Sequence, residues 1–283
     1  MSINNDIRIK LLRLLPEQMK GKQRLARLLL SKHLKKGDAF IKDKFGFVFH
    51  VPYLAAPIAL NILVDGIYEP DLLRLLLNYL DVGDTFLDIG ANIGTFSLPC
   101  SSRVGVKGQV IAIEASPSIF TFLKESVAIN NVKNVLLNQL AISSVDGEEL
   151  EFYEAPADNF GMGSFGPQFH SHPIRLLSRS LDDFLDEQKI VVVKAIKVDV
   201  EGFEARVFQG AAKLLTQPKA PLIAFEFSDW AERRIRRQNV GDSQCILLDY
   251  GYRIWRLSSY IRKGGYLNKI LLSGTDTLVA AKQ

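Results

Sequence analysis

The sequence predicts a doubly wound, mostly parallel α/β sheet, closed at one edge by an antiparallel hairpin and preceded by a helical extension. Three observations carry this. From Thr85 onward, short apolar runs alternate with helical stretches of about ten residues, the rhythm of a parallel sheet covered on both faces. One run, Phe86-Leu-Asp-Ile-Gly, passes straight into a glycine turn and a helix. The last two apolar runs, Tyr252–Leu257 and Thr277–Ala281, have no helical pattern between them, which suggests the closing hairpin.

Taken in order, residues 6–36 read as a basic amphipathic helix in one or two pieces. Leu11, Leu12 and Leu15, then Leu25, Leu28 and Leu29, recur at helical spacing among Arg13, Lys20, Lys22, Arg24 and Arg27. Residues 40–65 read as short strands and turns. Pro70 opens a helix over Glu69–Asp81. Core strands follow at Thr85–Ile89, Gln109–Ile113 and Val135–Ile142, with helices from Gly94 and from Ser116-Pro117 to Asn130. An irregular insertion at about 143–190 contains strands near Leu150–Tyr153 and Arg175–Ser180. The rhythm resumes with strand Val191–Val200, a helix over 203–215, strand Pro221–Phe227 and a helix over 229–250. Two domains follow: a basic helical extension with short strands (1–65), and a catalytic α/β domain (66–283).

The 283 residues carry a net charge of +4, and that figure conceals an asymmetry. Residues 1–44 hold 12 Lys and Arg against 4 Asp and Glu, so the rest of the chain is acidic on balance. A nucleic-acid protein would spread its basic residues over the working domain, so no nucleic-acid partner is expected. The extension is a peripheral membrane or protein contact, or a packed helix with a solvated face; oligomeric state is left open. Arg8, Lys10, Arg13 and Pro16 break up the early apolar stretch and argue against a secretory signal. Cys100 and Cys245, far apart in sequence, form no disulfide framework, which fits a reducing cytoplasmic compartment.

The chemistry sits at the strand ends. Gly90 and Gly94 let the chain turn sharply beside a ligand, and Asn92 tolerates the left-handed geometry such a loop uses. A dinucleotide site would want a third glycine to seat a pyrophosphate, and Asp88 would repel one. A carboxylate instead suits an ammonium-bearing ligand. Glu114 ends the next strand, 24 residues after Gly90, where it can accept both hydroxyls of a ribose. An adenosine-type ligand without phosphates fits both acids. Further on, Ile196-Lys-Val-Asp-Val-Glu-Gly-Phe-Glu puts Lys197, Asp199 and Glu201 on one side of a strand that should otherwise be apolar. Ligands bind at that end of open α/β sheets.

These segments resemble the FkbM family of methyltransferases. The resemblance rests on Asp88-Ile-Gly-Ala-Asn-Ile-Gly, Glu114-Ala-Ser-Pro, Asn130-Asn131 and Lys197-Val-Asp-Val-Glu-Gly-Phe-Glu. Gly66-Ile-Tyr-Glu-Pro and Ser180-Leu-Asp-Asp-Phe extend it over residues 66–227. It implies a seven-stranded Rossmann-like methyltransferase sheet, S-adenosylmethionine as donor, and O-methylation of a sugar or other small metabolite. By the same resemblance Asp88, Gly90, Asn92, Gly94 and Glu114 line the cofactor, and residues around Gln139–Ala141, Ala141 included, approach the adenine.

Methyl transfer to oxygen needs alignment and removal of a proton. Asp199 is the expected base or orienting acid, with Lys197 and Glu201 tuning it or holding acceptor hydroxyls. His170 and His172, in the insertion, are further candidates for the base. Asn159, Gly161, Gly163 and Ser164 are expected in an acceptor loop. Asp199, Glu226 and Asp229 stand where some related enzymes hold Mg²⁺, but no compact metal motif is present and metal-independent chemistry is expected. Two other classes stay in play: a nicotinamide-dependent oxidoreductase, and a non-catalytic protein that binds S-adenosylmethionine or a partner.

Overall fold

The computed structural model describes residues 6–17, 19–34 and 37–282. Helices α1 (Ile7–Leu14) and α2 (Lys22–Leu29) lead into a two-stranded antiparallel ribbon, β1 (Ala39–Lys42) and β2 (Val48–Val51). The basic amphipathic segment is therefore two short helices. Residues 57–65, expected as strands and turns, instead form helix α3 (Pro57–Asp65). Its run Ile58-Ala-Leu-Asn-Ile-Leu-Val is apolar nearly all round and so hides the helical period. Pro57 at the first turn and Gly66 at φ 70° in the C-cap mark the real ends.

Helix α4 (Pro70–Tyr79) precedes β3 (Thr85–Ile89), α5 (Ser97–Val104), β4 (Gln109–Glu114), α6 (Pro117–Ile129) and β5 (Val135–Gln139). The third core strand ends earlier than expected. Beyond Leu140 the chain switches to a second sheet as β6 (Ala141–Ser143), joined there by β7 (Glu149–Phe152) and β8 (Ile174–Ser180) in the order β6-β8-β7. Helix α7 (Leu181–Glu187), capped by the Ser180 hydroxyl, returns the chain to the core. Strand β9 (Ala195–Val198) is shorter than its apolar run: Val191 and Val192 are exposed and precede it. Helices α8 (Glu204–Gln209) and α9 (Ala212–Thr216) replace the single helix expected over 203–215. After β10 (Leu222–Ser228), the expected 229–250 helix is two pieces, α10 (Asp229–Glu232) and α11 (Asp242–Asp249), separated by a turn with Gly241 at φ 91°. The last elements are β11 (Arg253–Arg256), a short helix α12 (Leu257–Ile261) that the sequence reading omits, and β12 (Thr275–Ala281).

The main sheet has seven strands in the order β11-β12-β10-β9-β3-β4-β5. The block β10-β9-β3-β4-β5 is parallel, and β12 runs antiparallel to both β10 and β11. Side chains alternate across it as a pleat demands. Phe86, Ala195, Leu222 and Ala224 pack beneath α4 and α5, whereas Leu87, Ile196, Ile223 and Phe225 face α7, α8, α9 and α11. The extension packs on the edge of the domain: Ile9, Leu12, Ala26 and Leu30 join α3 and the α6 residues Ile119 and Leu123 in one cluster. Strand order reverses between β3 and β9, so the carboxyl ends of β3, β4, β9 and β10 open into one crevice, the usual binding place in such sheets.

Candidate active site

At the tip of β3 the loop turns through Gly90 (φ 77°), Asn92 (φ 52°) and Gly94 (φ 94°), all left-handed. A Cβ on Gly90 would lie 1.8 Å from the Asp199 carbonyl oxygen, so only glycine lets the loop pass so close to the end of β9. Glu114 anchors the loop from the tip of β4. One of its oxygens accepts the Asn92 amide at 2.9 Å and the other accepts the Ser116 amide at 2.8 Å. Each oxygen keeps a second lone-pair direction for a hydroxyl donor. Burial raises the Glu114 pKa, and the two amides pull it back.

The end of β9 is ionic. The Lys197 ammonium donates to the Gly90 carbonyl at 2.9 Å and pairs with Asp199 at 3.1 Å, with Asp88 3.8 Å away. Burial alone would lower the Lys197 pKa. The charges of Asp199, Asp88 and Glu69 more than offset that, so it rises and the side chain stays an ammonium. Asp199, Glu201 and Glu226 bring carboxylate oxygens within 4.8 Å of one another. Glu69, at φ 42° immediately before Pro70, joins them. Burial, reinforced by Asp199, lifts Glu69 to about 7 and Glu201 to about 8. Burial and the same neighbours push Glu226 well above the carboxylate range, and burial raises the Tyr68 phenol likewise.

The insertion covers the crevice. Phe165 packs on Phe203 (centroids 4.3 Å apart) and edge-on to Phe152 (5.1 Å), tying the loop to the domain. The backbone at Gly161 lies so close to Ile58 that a Cβ would come within 2.5 Å of its Cδ1. The resulting cleft is lined on one side by Gly90, Asn92, Glu114, Ile119, Leu140 and Ile142, and on the other by Glu69, Lys197, Asp199, Glu201 and Glu226.

Of the residues expected from the sequence, Gly90, Asn92, Glu114, Lys197, Asp199 and Glu201 meet in this cleft, as do Asn159, Gly161 and Gly163. Asp88 lies beneath it, fully buried, accepting the Ser97 hydroxyl at 2.5 Å. Gly94 faces Leu123 and Leu98, and Ala141 is buried beside the lining residues Leu140 and Ile142. The Ser164 hydroxyl donates to the Glu201 carbonyl and so braces the loop. His170 and His172 are exposed outside the lining, His170 bonded to the Glu154 carbonyl. Asp229 pairs with Arg233 and stands apart from the carboxylate group. Glu69 and Tyr68 were missed as site residues; an acid directly before a helix-opening proline was the available signal. In sequence, Glu226 reads only as a possible metal ligand, although it is the one charge in Leu222–Ser228.

The cleft's chemistry suits S-adenosylmethionine. It offers a buried carboxylate with free lone pairs for ribose hydroxyls, apolar walls at Ile119, Leu140 and Ile142 for a purine, and an excess of acid for an ammonium and a sulfonium. The sheet order and this site are those of an S-adenosylmethionine-dependent methyltransferase domain. The methyltransferase FkbM domain matches residues 88–254, and the chain belongs to that family. The hexuronic acid methyltransferase AglP of Haloferax volcanii is 30% identical over 147 residues, 52% of this chain and 58% of AglP. Among solved structures, an S-adenosylmethionine-dependent O-methyltransferase from Thermotoga maritima has a TM-score of 0.44 at 13% identity, over 89% of this chain and 81% of that one. A precorrin-6y C5,15-methyltransferase from Geobacter metallireducens gives 0.43 at 13%, over 77% and 90%. No helix among the described residues is long and apolar enough to cross a membrane.

Proposed function

We propose that the chain methylates a hydroxyl oxygen of a saccharide that carries no negative charge. The observation behind this is the charge of the acceptor side. Glu69, Asp199, Glu201 and Glu226 surround one cation, Lys197, which is already committed to Asp199 and the Gly90 carbonyl. An anionic acceptor would meet these acids, and Lys197 is the one cation among the described residues that line the cleft. The similarity to AglP, by its name an enzyme acting on hexuronic acid, supports a sugar acceptor; the acidic cleft argues for a neutral sugar.

S-adenosylmethionine supplies an electrophilic methyl group on a sulfonium. Glu114 would hold the ribose hydroxyls, with Leu140 and Ile142 against the adenine. On the acceptor side, Lys197 fixes Asp199, which orients the acceptor hydroxyl through a hydrogen bond. Glu201, with a pKa near the working pH, takes the proton as the new bond forms. Asn159, Gly161 and Gly163 would close over the sugar and exclude water. The remaining expectations, a cytoplasmic setting and chemistry without a metal, belong to this proposal too.

Calorimetry with S-adenosylhomocysteine and with NAD, followed by methyl transfer to a panel of neutral hexosides and hexuronides, tests this reading. We expect heat with the first nucleoside only, and transfer to a neutral sugar. Silence with S-adenosylhomocysteine would defeat the cofactor assignment, and preferential methylation of hexuronides would defeat the acceptor assignment.

A further inference from the structure

We propose that α1 and α2 form a docking face for the surface of an anionic phospholipid bilayer. The two helices lie against each other and both rest on α3, so the faces they turn away from α3 point outward together. Their inward contacts are complete. Ile9, Leu12, Ala26 and Leu30 are buried, Lys22 pairs with Asp65 at 2.5 Å, and Arg13 donates to the Ile62 and Leu63 carbonyls.

The outward face has a second apolar set that these contacts leave unused. On α1, Ile7, Leu11 and Leu14 are 65%, 57% and 81% exposed. At about 100° per residue they fall within about 60° of one another, opposite Ile9 and Leu12. On α2, Leu28 is 75% exposed, on the side opposite Ala26 and Leu30. Eight of the 21 large exposed apolar side chains among the described residues belong to residues 7–45.

Charge selects what would cover this face. Lys10, Lys20, Arg24, Arg27 and Lys32 are exposed on the same two helices and the turns that bound them, and no described carboxylate pairs with any of them. The nearby acids are already taken: Asp6 by Arg8, and Glu17 by Lys44 and Arg74. A protein interface would concentrate apolar groups at its centre and push lysine to the rim. Here leucine and cation alternate along convex helices, with Leu28 next to Arg27 and one turn from Arg24. An interfacial helix needs this arrangement, with leucines entering the acyl boundary and cations reaching lipid phosphates. The helix beneath this face, α3, also reaches the cleft. The first residues of that helix, Pro57 and Ile58, line the cleft, while its nine-residue length, about 13 Å, carries the basic pair.

The test is sedimentation of the full chain with sucrose-loaded vesicles of phosphatidylcholine alone, or of phosphatidylcholine mixed with phosphatidylglycerol. We expect about tenfold or greater partitioning onto the mixed vesicles, weakening as salt is raised. A Leu11→Ser, Leu14→Ser, Leu28→Ser triple variant and an Arg24→Glu, Arg27→Glu double variant should each lose about tenfold of that partitioning. Both should keep the parent's thermal midpoint and S-adenosylhomocysteine affinity, because the altered groups are exposed and remote from the cleft. Equal partitioning onto both vesicle types, or partitioning that neither variant reduces, would overturn the proposal. So would a dimer in solution that the leucine substitutions dissolve while vesicles capture nothing.

Discussion

The two walls of the cleft solve opposite electrostatic problems. On the wall proposed for the cofactor, Glu114 is a single carboxylate whose two oxygens are each held by a backbone amide, and the loop it anchors is fixed by glycine geometry. On the wall proposed for the acceptor, four carboxyl groups share one ammonium, and burial with mutual repulsion raises the pKa of Glu69 and Glu201. The first wall is satisfied before any ligand arrives, which suits tight and unvarying recognition. The second holds acids of raised proton affinity, which suits the proposed role of orienting a hydroxyl and taking its proton.

The comparison breaks most visibly at Lys197, which belongs to both walls. Lys197→Met should cost about 3–5 kcal/mol in urea denaturation, because Asp88 and Asp199 lose their counter-charge while Asp88 stays fully buried. A loss below about 1 kcal/mol would mean that the ion pair is not what holds β3 to β9. Asp199→Asn sharpens the division. If Asp199 orients the acceptor, kcat should fall about 100-fold or more while affinity for S-adenosylhomocysteine stays within about threefold. Full turnover in that variant would remove Asp199 from the chemistry. Glu114→Gln should do the converse, weakening S-adenosylhomocysteine about 10- to 100-fold, since an amide NH₂ would confront a backbone N–H that the carboxylate now accepts. Calorimetry on the two variants side by side reads both effects.

How far the sequence revealed this site follows from the kind of signal each wall leaves. The polar part of the proposed cofactor wall is contiguous: strand, glycine turn and strand-end acid lie within Phe86–Glu114, and their backbone geometry restricts residue type at each step. The acceptor wall is assembled from four separate places, at Glu69, Asp199–Glu201, Glu226 and the 159–163 loop. Of these, Asp199 and Glu201, with Lys197 beside them, stand out because charge is anomalous at the end of a buried strand, and Asn159, Gly161 and Gly163 stand out as a glycine-rich loop. Glu226 is as anomalous, yet its role depends on β10 lying beside β9, a pairing that periodicity does not supply. Element errors have the same origin. The 57–65 helix is apolar nearly all round, so its period was invisible. The 229–250 segment kept an apolar pattern across a turn at Gly241 that tertiary contacts impose, among them the Glu232 carboxylate accepting the Gly241 amide at 2.7 Å.

The smallest expected effect reads the crowding of the acceptor wall directly. Glu69 and Glu201 have folded-state values of about 7 and 8, above the 4.5 of an ordinary glutamate. Between those values the folded chain binds more protons than the unfolded one, so stability falls as pH rises. The contribution is complete below about pH 4.5 and is lost by about pH 8. The ligand-free protein should therefore show a thermal midpoint that declines from pH 5 to pH 8, the direction these raised values require. Glu201→Gln should flatten the decline, since it removes one titrating group and relieves the charge on Glu226. If the slope is unchanged in that variant, the acids on this wall do not share a raised proton affinity, and the contrast with the amide-held Glu114 loses its physical basis.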